Sequence, residues 1–71
     1  MNVYILTQTY EDEAPEIVAI YDRPAKALKA MKDMAQASFH VTYRQLSTPD
    51  ERFPWWESNR DVLEVDQYPL Y

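Results

Sequence analysis

A chain of 71 residues with twelve acids, seven bases and a formal charge of −5 has room for one domain, residues 1–71, and little margin of buried area. It holds no cysteine and a single histidine, His40, which excludes disulfides and thiolate or histidine-rich metal sites, so no metal and no cofactor is expected. The absence of glycine excludes the phosphate-cradling loops of nucleotide-binding motifs, and the acidic balance opposes nonspecific nucleic-acid binding, which depends on lysine and arginine meeting phosphates.

The first element is the run Val3 to Tyr10, dense in β-branched and aromatic residues and apolar on both faces in its first half, which predicts a strand with neighbours and cover. Glu11-Asp12-Glu13-Ala14-Pro15 is an acidic turn. Glu16 to Tyr21 predicts a second strand, paired with the first as a hairpin because the connection is too short for a parallel return.

Asp22-Arg23-Pro24 opens a helix, with Asp22 as N-cap and Pro24 in the first turn, where its missing N–H has no helical partner to lose. The helix runs from Ala25 to about Ala37. Leu28, Met31, Met34 and Ala35 form the expected buried stripe, and Lys26, Lys29, Asp33 and Gln36 the wet face. Lys26, Lys29 and Lys32 make a basic helical face within an otherwise acidic body.

Phe39 to Leu46 alternates with period two and predicts a strand, with Phe39, Val41 and Tyr43 on one side and His40, Thr42 and Arg44 on the other. His40 is expected to be an ordinary surface or edge histidine. Residues 47–60 are expected as a long aromatic-acidic loop, with Thr48-Pro49-Asp50-Glu51 resembling the start of a capped helical turn. Asp61 to about Tyr68 predicts the last strand, Leu63 and Val65 inward, Glu64 and Asp66 outward, ended by Pro69. The expected fold is α+β, a small antiparallel sheet in the order ββαββ with one helix on one face. The other face needs cover from the 47–59 segment or from a second subunit.

Several segments resemble a group of small phage and bacterial proteins, mostly of unassigned function. The resemblance lies in Val-Tyr-Ile-Leu-Thr of the first strand, Ile-Val-Ala-Ile-Tyr of the second, Asp-Arg-Pro-Ala-Lys-Ala at the helix start and Leu-Glu-Val-Asp-Gln-Tyr-Pro-Leu at the end. It covers roughly residues 2–31 and 62–70, and the 39–61 stretch departs from it. It implies a ββαβ-type fold and a phage or mobile-element origin, and no activity.

No nucleophile with a base and an orienting group is evident, and no spacing sets two carboxylates in an apolar pocket, so an enzyme is not expected. The chemistry-bearing segment is Phe53-Pro54-Trp55-Trp56-Glu57, since tryptophan dominates binding energy at interfaces. In an extended segment Trp55 and Trp56 point to opposite sides. One reading packs one of them on the sheet and leaves the other partly exposed; another makes the cluster a partner-binding anchor; a third is a base-stacking platform. The candidate contact is Phe53, Trp55, Trp56 and Glu57 with Asp50, Glu51 and Asp61 as polar rim, and Glu11, Asp12, Glu13 and Glu16 form a secondary acidic surface.

These features together predict a small acidic protein-binding module whose partner carries a basic surface, a phage-type inhibitor or adaptor in an anti-CRISPR-like or host-takeover role. A homodimeric structural or accessory protein is the alternative, and a weak nucleic-acid or nucleotide binder through the aromatics with Arg44, Arg52 and Arg60 is a third. No apolar run reaches spanning length and the N-terminus lacks a signal-like stretch, so the chain is expected in the cytoplasm, the host's if phage-encoded, and not at a membrane.

Overall fold

The computed structural model describes residues 1–38 and 41–70. Its elements are β1 (Asn2–Tyr10), β2 (Glu16–Tyr21), α1 (Pro24–Gln36), β3 (Arg44–Leu46), β4 (Trp55–Glu57) and β5 (Asp61–Pro69). The five strands form one antiparallel sheet in the order β2-β1-β5-β4-β3. The α+β class holds, with one difference in element order: the structure is ββαβββ, because the expected 47–60 loop contains the short strand β4.

Register explains the core. Leu6 faces Val65 and Gln8 faces Leu63, so Tyr4, Leu6 and Gln8 share a face with Asp61, Leu63, Val65 and Gln67. α1 covers this face. Ala27, Met31 and Ala35, spaced four apart, meet Leu6, Leu63 and Val65 in the buried core. The buried stripe is therefore turned slightly from the expected one, and Leu28 and Met34 pack as half-buried flanks. The small side chains of Ala27 and Ala35 let the helix sit close to the sheet.

The helix start also differs from expectation. Arg23, with extended backbone, is the N-cap residue, and no side chain caps the helix. Asp22 instead accepts a hydrogen bond from Lys26 Nζ at 3.1 Å, and this bond and the lysine charge hold its carboxyl below the usual range. A second exposed pair, Lys29 to Asp33 at 2.9 Å, lies one turn on. Such exposed i,i+4 pairs are screened by water and add little to stability.

The β1–β2 turn shows what a chain without glycine does. Asp12 takes φ 65°, a left-handed conformation that Asp tolerates better than most side chains, and Glu13 N–H donates to Tyr10 C=O at 3.1 Å. In β2, Val18 is an extra residue between the pairs Leu6–Ala19 and Thr7–Ile17. This bulge turns both Ile17 and Ile20 to the face away from α1. β2 is an edge strand with Ile17 60%, Val18 41% and Ile20 58% exposed.

Of the expected strand over 39–46, only Arg44–Leu46 is strand among the described residues. An edge strand is only as long as its neighbour, and β4 offers three residues: Arg44 pairs Glu57, Gln45 pairs Trp56 and Leu46 pairs Trp55. Before it, Val41 N–H donates to Ser38 Oγ at 3.3 Å. The readings of Phe39 and His40 lie outside the described residues.

Candidate functional site

The register of β4 on β5 separates the two tryptophans. Trp56 faces Leu63, which places it on the α1 side, half-buried against the core. Trp55, one residue earlier, points to the open face beside Leu46. Glu57 faces Val62 on the open face as well, across from Arg44. The expectation that both tryptophans share one contact is corrected as to placement: they lie on opposite faces of the sheet, Trp56 half-buried against the core and Trp55 half-buried on the open face.

Asp61 is corrected too. It is 7% exposed and lies on the same face as Leu63 and Val65, so it is not a rim residue. Its Oδ2 accepts from Gln8 Nε2 at 3.1 Å and from the Tyr43 hydroxyl at 2.7 Å. Its backbone is held by Ser58: the Asp61 N–H donates to Ser58 Oγ at 2.9 Å and the Asp61 C=O accepts from Ser58 N–H at 2.9 Å. Asp61 therefore closes the β4–β5 turn and ties β3's approach to β1. Burial, followed by the hydrogen bond and charge of Asp61, pushes the Tyr43 hydroxyl up to about 12.

The remaining candidates converge at the other half of β5. A groove of about 420 Å³ is lined by Glu51, Arg52, Phe53, Pro54 and Trp55 on one side and by Glu64, Val65, Asp66 and Gln67 on the other. Phe53 packs against the core and meets Tyr4 edge-to-face, ring centroids 6.1 Å apart, so it forms a fixed wall rather than a free anchor. The Arg52 guanidinium lies 5.8 Å from the centre of the Phe53 ring. Partial burial, then the negative charges of Asp66 and Glu51, raise the Glu64 carboxyl above its usual value. The Gln67 Oε1 is a buried acceptor with no hydrogen-bond partner among the described residues.

Asp50 is exposed in the preceding turn, outside the groove lining. Glu11, Asp12, Glu13 and Glu16 are all exposed at the β1–β2 turn, which lies at the Asp61 end of the sheet, where Glu11 N–H reaches Arg60 C=O at 2.8 Å. The arginines expected to serve a nucleic acid are dispersed: Arg44 on β3, Arg52 in the groove, and Arg60 in a second recess with Tyr10, Glu11, Val41 and Asp61. Among the described residues no group of three His, Cys, Asp or Glu is placed to hold a metal ion, and no helix is long and apolar enough to cross a membrane.

Sequence reasoning read Glu64 and Asp66 as outward acids but did not place them, or Gln67, in one groove with the aromatic segment. The signal for them was Pro54, which bars the ladder from continuing along β5 and so leaves a groove there. In comparisons with known proteins, no family model, no curated protein and no solved structure matches the chain.

Proposed function

We propose that this chain is a small acidic, non-enzymatic protein-binding module whose contact is the groove between residues 51–55 and β5. The observation that supports it is the pairing of a fixed wall, Phe53, and an open-face ring, Trp55, with Glu51, Glu64 and Asp66 against a single cation, Arg52, among the described lining residues. Aromatics in such a place supply a desolvated anchor, and clustered carboxylates steer association toward a basic surface. The finer setting, a phage-type inhibitor or adaptor acting on a host or defence protein in the cytoplasm, rests on the resemblance of β1, β2, the start of α1 and β5 to small phage and bacterial proteins.

The test is capture of partners from a lysate of the source cell by tagged wild type and by Trp55→Ala, with circular dichroism confirming that both are folded. One dominant protein held by wild type, lost in Trp55→Ala and weakened by added salt is the expected result. Equal capture by both proteins sinks the assignment.

A second reading is favoured by one observation. β2 exposes Ile17, Val18 and Ile20 along an unpaired edge, an arrangement that invites pairing with a second copy, although the bulge at Val18 works against it. Light scattering on the purified protein at micromolar concentration decides: a dimer mass supports a homodimeric structural role, and a monomer mass removes it.

A further inference from the structure

β5 is paired along its whole length with β1 but with β4 only at Val62 and Leu63. Antiparallel strands alternate the direction of their backbone groups. Leu70 N–H donates to Met1 C=O and Glu11 N–H to Arg60 C=O, each at 2.8 Å, so the even-numbered residues of this strand turn their backbone toward β1. Asp61 C=O accepts from Ser58 on the opposite side, so the odd-numbered residues turn theirs toward β4. Extending the Trp56–Leu63 register brings Pro54 opposite Val65. Proline has no N–H to give, and the ladder stops there. Among the described residues no backbone bond joins Val65 or Gln67 to the 47–54 segment. Both therefore turn an N–H and a C=O into the groove. Pro69, also odd-numbered, sits in the strand without penalty because its nitrogen faces this same open side.

Resting on the groove as the contact, we propose that it receives an extended basic segment of the partner protein as a sixth strand, hydrogen-bonded to β5 at Val65 and Gln67. Strand addition of this kind takes affinity from the backbone and selectivity from alternate side chains. Positions of the incoming strand opposite Glu64 and Asp66 point to the open face, where those carboxylates and Trp55 lie, and favour lysine or arginine. Positions opposite Val65 and Gln67 point toward Phe53 and the unpartnered Gln67 Oε1, and favour a side chain with a donor. Burial, and after it the charges of Asp66 and Glu51, raise the Glu64 carboxyl, and an arriving cation relieves the repulsive part. Alternate basic and donor-bearing residues are thus the chemistry the groove selects.

The experiment titrates the protein with a capped peptide, Lys-Thr-Lys-Thr-Lys, and with the same peptide N-methylated at both threonines, which keeps the charge and removes the backbone donors. Amide hydrogen exchange is followed by NMR. In the free protein the Val65 and Gln67 amides are expected to exchange faster than those of Glu64 and Asp66. The unmodified peptide is expected to slow exchange at Val65 and Gln67 and to bind about tenfold more tightly than the methylated one. Equal affinity with no protection at these amides overturns strand addition, and with shifts at Trp55, Glu64 and Asp66 it leaves the groove contact standing. No binding of either peptide at millimolar concentration overturns the basic-segment assignment. The groove reading itself fails separately, if Trp55→Ala leaves partner capture intact.

Discussion

Trp56→Ala is expected to lower the unfolding free energy by about 2–4 kcal/mol, and Trp55→Ala by less than about 1 kcal/mol. The difference follows from register. Trp56 stands opposite Leu63 on the face that α1 covers and packs against the core, so its removal opens a cavity beside Leu63. Trp55 stands on the open face, where water replaces it. Both rings are half-buried, so each figure lies below that of a fully buried tryptophan. A domain of this size has a total stability of about 4–10 kcal/mol, so Trp56→Ala consumes a large share of it. Urea melts of the two variants read the difference. Equal shifts, or a larger one for Trp55→Ala, contradict the placement of the two rings.

The second large effect is expected at Asp61. Asp61→Ala removes the acceptor shared by Gln8 and Tyr43 and is expected to cost about 2–3 kcal/mol, because a charge-assisted pair is lost and two donors lose their partner. Tyr43→Phe is expected to cost about 1 kcal/mol, and the two changes together less than their sum, since they break the same bond. The pH dependence has a definite sign. The Tyr43 hydroxyl titrates at about 12 in the folded chain against 10.0 for an unperturbed tyrosine, so the folded state keeps its proton longer than the unfolded state. The stabilisation is fully present below pH 10 and is lost as pH rises toward 12. Melts of wild type and Tyr43→Phe across this range isolate the contribution: their difference is expected to shrink steadily above pH 10. A difference that grows with pH contradicts the hydrogen bond.

Where the sequence was legible, local pattern and tertiary environment agreed. β2 occupies the expected Glu16–Tyr21, and β1, α1 and β5 lie within a residue or two of expectation, because each carries a strong period or a dense β-branched run. β4 was not legible. Trp55-Trp56-Glu57 follows a proline in a polar stretch, and its strand character comes from Leu63 and Val62 on one side and β3 on the other. The predicted opposition of Trp55 and Trp56 was sound; deciding which one enters the core required the register on β5. Asp61 could have been recognised by parity, since it shares the inward phase of Leu63 and Val65 and an inward acid requires donors. Those donors, Gln8 and Tyr43, are distant in sequence, and no spacing connects them. The groove was legible only through Pro54, and only once β4 is known to end there.

The most direct test of the groove as the binding contact is a backbone amide shift map of the isotope-labelled wild-type protein during titration with its captured partner. Shifts concentrated in residues 51–55 and 64–67, with β2 and the β1–β2 turn unaffected, are the predicted result. Shifts concentrated at Glu16–Tyr21 or at Glu11, Asp12 and Glu13, with 51–55 and 64–67 silent, contradict it and move the contact to the opposite edge of the sheet.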